Sequence, residues 1–393
     1  MHRWLVANMK ILYHHRIASK DGQYVHVEEL TNALKKQGHT IIMVAPSIAE
    51  TSEFGSEGGF IKTLKAKMPK CIYELLEFFY SFYAYRKLAR AVKRYNPDVL
   101  YERYNLFLPA GIWIKKRFKL PMLLEVNSPL FDERAKHDGV ALKRFAKWSE
   151  RYTWKNADRV LPVTQVLANI VEANDVPKEN IVVIPNGIDL ETFHFIPDTE
   201  QAKQKLGIQD SLVLGFTGFM RDWHGLDRLV DIIADNRSQN IHLLLVGDGP
   251  ARESIEEKAK QLKVTDCVTI TGIINRDKIA DYVSAFDIAL QPDVTDYASP
   301  LKLFEYMALG RAIIAPDKEN IKEILIDREN ALLFRANDEA SFINSVRELC
   351  EDKTLRTRLS ENARNTILET NLTWDNNAHR VVSLFEELLR KAD

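Results

Sequence analysis

Two successive runs of alternating strands and helices limit what this chain can fold into. In the first half, strands are predicted at Lys10–Tyr13 and Thr40–Ala45, separated by a helix at Val25–Lys36 that carries apolar residues at helical spacing. Three further strands are predicted at Asp98–Tyr101, Pro121–Val126 and Arg159–Pro162. Because this alternation requires parallel strands covered by helices, we predict a doubly wound α/β domain.

The alternation restarts after a connection rich in turn residues at positions 181–195. The second set of strands is predicted at Leu212–Thr217, His242–Val246, Cys267–Ile270, Ile288–Gln291 and Ala312–Ala315. A length of 393 residues accommodates two domains of ordinary size. Two Rossmann-like domains in tandem leave a cleft between them, and ligands of such sheets bind beyond the carboxyl ends of the strands.

Composition favours an intracellular globular protein. No segment approaches the ~18 apolar residues of a membrane-spanning helix, and residues 1–8 lack the apolar core of a signal peptide. The three cysteines, Cys71, Cys267 and Cys350, are scattered, which argues against a disulfide framework or a zinc site. We therefore expect a cytoplasmic protein.

Charge is divided unevenly, although the net charge is only −1. Residues 1–190 carry 29 basic against 20 acidic side chains, and the remainder is acidic. Much of the basic excess lies in residues 62–94, where nine Lys and Arg surround the aromatic stretch 78–85. Such a segment can lie on an anionic membrane surface; it is alternatively a core-facing helix with a solvated basic face. We favour peripheral contact with the inner face of a membrane.

Residues 299–310, SPLKLFEYMALG, carry the most informative motif. Ser299 is predicted as the N-cap and Pro300 as the first residue of a helix that extends to Leu309. The amino end of a helix attracts anions, and Lys302 places a cation there. Glu305 is one turn away, so both side chains are predicted to face one ligand; an ordinary surface ion pair is the alternative.

Two glycine turns follow the first two strands of the second set. The turn after Thr217 begins at Gly218 and carries Arg221 and His224, and a guanidinium suits diphosphate oxygens. The turn Gly247-Asp248-Gly249 allows close backbone approach to a ligand. Each turn taken alone could equally be ordinary surface.

These motifs together resemble glycosyltransferase family 4, the retaining, metal-independent enzymes of GT-B fold. The resemblance is carried by residues 183–189 (VIPNGID), 246–250 (VGDGP) and 299–310, and it extends over nearly the whole chain. It implies an α/β fold of two Rossmann-like domains facing across a cleft. The implied parts are an acceptor-binding domain at 1–195, a nucleotide-sugar-binding domain at 196–372 and a C-terminal helix at 373–393 that packs on the first domain.

The resemblance also implies roles for individual residues. Glu305 would accept hydrogen bonds from the nucleotide ribose, Lys302 and the helix start would hold the diphosphate, and Arg221 would clamp it with help from His224. The implied catalytic residues are Glu125, Asn127, Arg221 and Lys302. The implied donor-binding residues are Gly22, Gly218, Arg221, His224, Gly247, Asp248, Ser299, Pro300, Leu301, Lys302 and Glu305.

The sequence departs from the family pattern at several positions, which include the arginine and lysine of the Gly218 turn (Phe219 and His224 here), Pro300, an acid and a histidine. The first glutamate of the family motif falls at Tyr297, and Asp296 or Asp293 is the substitute that we expect. The histidine at the end of the fourth strand falls at Asn127. Glu125 lies two positions earlier on the same face of that strand, where it either meets the acceptor or sugar or is a buried carboxylate satisfied locally.

The expected function is transfer of a sugar, with retention, from a UDP- or GDP-sugar to a glycan or lipid-linked acceptor, in the synthesis of cell-surface polysaccharide or glycolipid. The nucleotide-sugar is a co-substrate, and no cofactor, metal or nucleic acid is expected. The alternative is a non-catalytic nucleotide-sugar-binding protein on the same scaffold.

Overall fold

The chain divides into two compact units, each built around one parallel sheet. The computed structural model describes residues 8–17, 22–46, 68–194, 199–236 and 240–392. Unit 1 ends at Pro185 and is completed by the residues from Trp374 onward, and unit 2 comprises Asn186–Thr373. The second unit therefore begins before residue 196, the position assigned from the sequence, because Ile188 and Phe193 pack in a core cluster of unit 2.

Unit 1 contains five strands and seven helices in its described residues. The strands are β1 (Lys10–His14), β2 (Thr40–Val44), β3 (Val99–Arg103), β4 (Met122–Val126) and β5 (Arg159–Pro162). The helices are α1 (Gly22–Lys36), α2 (Lys70–Tyr95), α3 (Ala110–Phe118), α4 (Leu130–His137), α5 (Lys143–Asn156), α6 (Gln165–Ala173) and, at the end of the chain, α15 (Trp374–Ala392). All strands are parallel, in the order β2-β1-β3-β4-β5.

Unit 2 repeats this plan with six parallel strands. These are β6 (Leu212–Thr217), β7 (Ile241–Val246), β8 (Val268–Ile270), β9 (Ile288–Leu290), β10 (Ala312–Pro316) and β11 (Leu332–Phe334), in the order β11-β10-β9-β6-β7-β8. The described helices are α7 (Thr199–Leu206), α8 (Asp227–Asp235), α9 (Arg252–Gln261), α10 (Arg276–Val283), α11 (Leu301–Ala308), α12 (Glu319–Lys322), α13 (Glu339–Glu351) and α14 (Lys353–Thr370).

The sheet of unit 2 is apolar on both faces, which explains its unbroken hydrophobic strands. Successive side chains of a strand point to opposite faces. Accordingly Val213 packs in one core cluster, while Leu214 and Phe216 pack in the other. Ala289 on β9 and its neighbour Leu290 divide in the same way. The doubly wound parallel architecture predicted from the sequence is confirmed.

Strand boundaries differ from the prediction mainly where polar residues continue a strand. The predicted strand at 98–101 actually extends to Arg103, and both Glu102 and Arg103 are buried. Glu102 is tolerated because it pairs with His14 Nδ1 at 2.5 Å, and Arg103 pairs with Glu125. β11 was not predicted from the sequence.

The last helix, α15, belongs to unit 1 and packs against α1. Gln37 Nε2 donates to the carbonyl of Asp375 at 2.7 Å, and the Trp374 and His26 rings meet edge to face at 4.8 Å. Phe385 is fully buried on its apolar face. The return of this helix to the first unit agrees with the fold implied by the resemblance. None of the helices in the described part of the chain combines the length and apolarity that crossing a bilayer requires.

Candidate active site

The glycine turns after β6 and β7 form one backbone layer at the carboxyl edge of the unit 2 sheet. Gly218 N–H donates to Val246 O, and Met220 N–H donates to Asp248 O, both at 2.9 Å. Gly247 has a φ of 143°, and a Cβ at this position would collide with the carbonyl oxygen of Gly218. Glycine is therefore required here because the two turns lie backbone against backbone.

Lys302 lies directly against the turn that begins at Gly218. Its Nζ is 3.9 Å from the centre of the Phe216 ring and 3.2 Å from the position that a Cβ on Gly218 would take. Burial lowers the pKa of Lys302 to about 7, although the nearby Glu305 carboxylate favours the charge. A cation is thus held in a desolvated position, at the amino end of α11.

The start of α11 differs from the prediction. Ser299 is not the N-cap: Pro300 occupies that position with extended backbone, and Leu301 is the first helical residue. The Ser299 hydroxyl instead accepts the Asn186 N–H at 3.2 Å, and the Asn186 side chain donates to Ser299 O at 2.5 Å. No side chain caps this helix, so its amino end keeps the character of an anion site.

His224 and Arg221 lie in the same loop as Gly218. His224 is buried, and its Nδ1 accepts the Arg221 N–H at 3.1 Å. Burial lowers the pKa of His224 to about 3, and the charges of Lys302 and Arg221 act in the same direction. The imidazole is therefore neutral at physiological pH, and with Nδ1 as acceptor its Nε2 carries the proton and can donate. Arg221 is exposed, with its guanidinium 5.1 Å from the Phe219 ring centre.

Glu305 is paired with a residue that sequence reasoning missed. The carboxylate is 4% exposed, and Arg276 Nη1 donates to its Oε1. The Arg276 guanidinium also lies 4.8 Å from the Phe193 ring centre. Glu305 on α11 thus pairs with Arg276 on α10, and not with Lys302 as considered from the sequence. Residues 276 and 305 are too far apart in sequence for helical spacing to predict this ion pair.

The two aspartates considered as substitutes for the missing glutamate share one lysine. Lys318 Nζ contacts Asp293 Oδ1 at 2.8 Å and Asp296 Oδ1 at 3.1 Å, and it donates to Val294 O at 2.5 Å. Tyr297, at the motif position itself, is half-buried. Lys318 therefore pairs with both carboxylates, leaving one net negative charge, and fixes the loop that leads to α11.

The carboxyl edge of the unit 1 sheet contains a buried cluster centred on Glu125. Glu125 is 2% exposed; its Oε2 accepts from Tyr101 at 2.8 Å and lies 3.0 Å from His26 Nε2, while Arg103 and Asn127 donate to Oε1. Burial opposes its charge, yet His26 and Arg103 hold its pKa well below the usual range. Glu125 is thus a buried carboxylate whose charge is satisfied by neighbouring side chains, which is the second of the two interpretations given above.

Sequence reasoning missed His26 and Arg103 in this cluster. Arg103 was overlooked because the strand was ended at Tyr101, and the pair Glu102-Arg103 after an apolar run was the available signal. Nearby, burial lowers the pKa of His15 to about 4. Gly22, which the resemblance placed among the donor-binding residues, is the first residue of α1.

The described residues include no group of three or more His, Cys, Asp or Glu side chains arranged to hold a metal ion. That the reaction proceeds without a metal ion stays a prediction.

Comparison with known proteins identifies the class of this site. Residues 20–192 match the model for Glycosyltransferase Family 4, and residues 198–366 match the model for Glycosyl transferases group 1. Together with the two parallel sheets, these matches define a glycosyltransferase of GT-B fold. The chain belongs to glycosyltransferase family 4.

Relatives of this chain include enzymes of glycolipid synthesis. An uncharacterized glycosyltransferase of Methanocaldococcus jannaschii is 24% identical over 94% of this chain and 95% of its own. The alpha-monoglucosyldiacylglycerol synthase of Streptococcus pneumoniae is 23% identical over 82% of this chain and 74% of its own. Among solved structures, Anabaena HepE in complex with UDP has a TM-score of 0.74 and 15% identity, over 96% of this chain and 100% of its own.

The close approach of the two turns predicts a specific cost for replacing Gly247. Gly247→Ala should lower the free energy of unfolding by roughly 2 kcal/mol or more, because the new Cβ must displace the Gly218 carbonyl. Gly207→Ala is the matched control, since Gly207 also has a positive φ but nothing within 4 Å of its Cβ position. Equal losses in the two variants, measured by urea unfolding, would contradict the packing argument.

Proposed function

We propose that this enzyme transfers a sugar, with retention and without a metal, from a UDP- or GDP-sugar to a glycan or lipid-linked acceptor. The observation that carries the proposal is the half-buried Lys302 at the uncapped start of α11, where a partly desolvated cation matches a diphosphate. A fold neighbour solved with UDP and relatives that build glycolipids support the substrate classes.

Donor binding is proposed to use the residues gathered at the carboxyl edge of the unit 2 sheet. The diphosphate is held by the backbone at Leu301, the Lys302 ammonium, the neutral His224 and the exposed Arg221. Glu305 accepts from the ribose hydroxyls, and Arg276 orients its carboxylate. Gly247 and Asp248 supply the backbone layer over which the donor lies.

The proposed chemistry needs no protein nucleophile. The bond between the anomeric carbon and the diphosphate oxygen breaks, and the acceptor hydroxyl bonds to that carbon on the same face. The acceptor proton moves to the departing phosphate oxygen. The protein stabilises the negative charge that develops on the diphosphate, which is the task that Lys302, Arg221 and the start of α11 perform.

Glu125 and Asn127 are proposed to act in acceptor binding through their shared hydrogen bond. Because Glu125 is enclosed by four donors, we assign it a positioning role: it fixes the Asn127 amide and the Arg103 guanidinium. Asn127 and Arg103 then present the remaining donors to the acceptor. Asp293 and Asp296 position the loop before α11 through Lys318. Tyr297 occupies the position of the missing glutamate.

Replacing either donor-binding residue should abolish most of the activity while the protein stays folded. We expect Lys302→Ala and Glu305→Ala each to lower kcat/KM by about 100-fold or more with the donor that a thermal-shift screen of UDP-, GDP- and ADP-sugars identifies. Lys322→Ala, an exposed change on α12, is the control. Wild-type activity in both variants would refute the donor site, and binding without any transfer or donor hydrolysis would favour the non-catalytic alternative.

Donor affinity should depend on pH through Lys302. Its pKa of about 7 in the free protein must rise when a diphosphate binds, so binding takes up a proton above pH 7. Donor affinity should therefore fall by up to about tenfold per pH unit above pH 7. Below pH 7 the affinity should not change with pH. His224 stays neutral over this range. Calorimetry in buffers of different ionisation enthalpy measures the uptake, and Lys302→Arg, which stays charged, should remove it. Unchanged uptake in that variant would contradict the assignment.

The acceptor unit is proposed to contact an anionic membrane through α2. This helix buries small residues such as Ser81 and Ala84, whereas Phe79 and Phe82 are 57% and 49% exposed. Its exposed large apolar or aromatic side chains are Ile72, Leu75, Leu76, Phe79, Phe82, Tyr83 and Tyr95. Basic residues fill its last turns, and residues 62–67 of the predicted basic segment lie outside the described residues. The exposed aromatic side chains of α2 favour membrane contact over the alternative, a core-facing helix with a solvated basic face.

Vesicle binding tests this surface. The wild-type protein should co-sediment with vesicles containing phosphatidylglycerol more than with pure phosphatidylcholine, and Phe79→Ser/Phe82→Ser should weaken binding by about tenfold or more. Leu368→Ser, at an equally exposed apolar position in unit 2, serves as the control. Sedimentation that is independent of anionic lipid would count against membrane contact.

A further inference from the structure

A groove lies at the amino edge of the unit 2 sheet. The residues just before β9 and β10, Phe286-Asp287 and Gly310-Arg311, form its floor, and the first half of α14 forms one wall. It encloses about 550 Å³, within the roughly 300–1,000 Å³ of small-molecule sites.

This groove is separate from the proposed donor site. The strands of unit 2 are all parallel, so the turns at Gly218 and Gly247, which follow strands, lie at the carboxyl edge. The groove residues precede strands and therefore lie at the opposite edge. Nothing in the donor chemistry accounts for them.

One face of α14 supplies positive charge to the groove. Lys353, Arg356, Ser360 and Arg364 recur at spacings of three and four residues, which places them on one side of the helix. Arg356 Nη1 donates to the carbonyl of Cys350 at 3.0 Å. The guanidinium is therefore held by a backbone carbonyl and not by a carboxylate. Within the described residues, neither Lys353 nor Arg356 forms an ion pair.

Arg311 adds a buried cation to the floor. It is 5% exposed and donates to Ser284 O at 2.9 Å and to Phe286 O at 3.1 Å. Burial lowers the pKa of Arg311 to about 10. The acidic neighbour Asp287 favours the charge of Arg311, and it also pairs with Lys203 at 2.9 Å.

We infer that this groove binds a phosphate-bearing small molecule, with Lys353, Arg356 and Arg364 donating to the phosphate oxygens. Because Arg356 donates to carbonyls through Nη1 alone, the rest of its guanidinium can donate to an anion, and the planar fork of arginine fits phosphate. Ser360 and the exposed Glu361 and Asn365 provide acceptors for sugar hydroxyls on the same helix face.

Calorimetry with inorganic phosphate and with glucose 6-phosphate tests the inference, using Lys302→Ala protein so that the donor site does not contribute. We expect the Lys302→Ala protein, the background for this test, to bind one or both phosphates. The affinity for glucose 6-phosphate should be the higher of the two if the groove recognises a phosphorylated sugar. Lys353→Gln/Arg356→Gln added to it should weaken binding by about tenfold or more. Lys353→Gln alone, at an exposed side chain, keeps the test valid if the double change impairs folding.

The matched control is Lys260→Gln/Arg335→Gln, which removes the same charge from exposed positions outside the groove. It should bind phosphate as the background does. The inference is overturned if the background protein binds neither phosphate. Equal weakening in the control, unchanged affinity in the groove variants, or equal binding of uncharged glucose would overturn it as well.

Discussion

The contact between the half-buried ammonium of Lys302 and the Phe216 ring at the start of α11 is the interaction on which the proposed chemistry depends. A lysine in the first turn of a helix opposes the helix dipole, and burial opposes its charge further. Within the described residues no carboxylate forms an ion pair with Lys302, since Glu305 pairs instead with Arg276. The folded protein therefore carries an electrostatic cost at this position that a bound anion removes, and the low pKa of Lys302 expresses that cost.

The glycine turns at the same edge make this arrangement possible. Gly218 leaves space into which the Lys302 ammonium extends, and Gly247 lets the next turn lie directly on Gly218. Side chains at these positions would separate the two turns and move them away from α11. Backbone packing, rather than any single catalytic group, thus brings the cation, the helix start and the loop with His224 and Arg221 together in unit 2.

Much of the fold could be predicted because its signals are local. The bounds of β5 and β6 were predicted correctly from short apolar runs, and the motif at 299–310 predicted the helix α11, although not its N-cap. What could not be predicted depends on contacts distant in sequence. The pairing of Arg276 with Glu305, the burial of Arg103 and the use of the Ser299 hydroxyl by Asn186 are set by tertiary packing, which spacing does not encode.

The two units treat their buried charges in opposite ways, and this contrast separates structural from ligand-dependent groups. Glu125 is surrounded by Tyr101, His26, Arg103 and Asn127, so its charge is satisfied before any substrate arrives. The charge of Lys302 is compensated only in part, by the Glu305 carboxylate and the Phe216 ring. A charge that the protein itself satisfies orders its surroundings, whereas a charge that it leaves unsatisfied gains most when a ligand of opposite sign binds. We therefore propose Glu125 as a positioning group and Lys302 as a binding group, whereas the family resemblance implied a catalytic role for both.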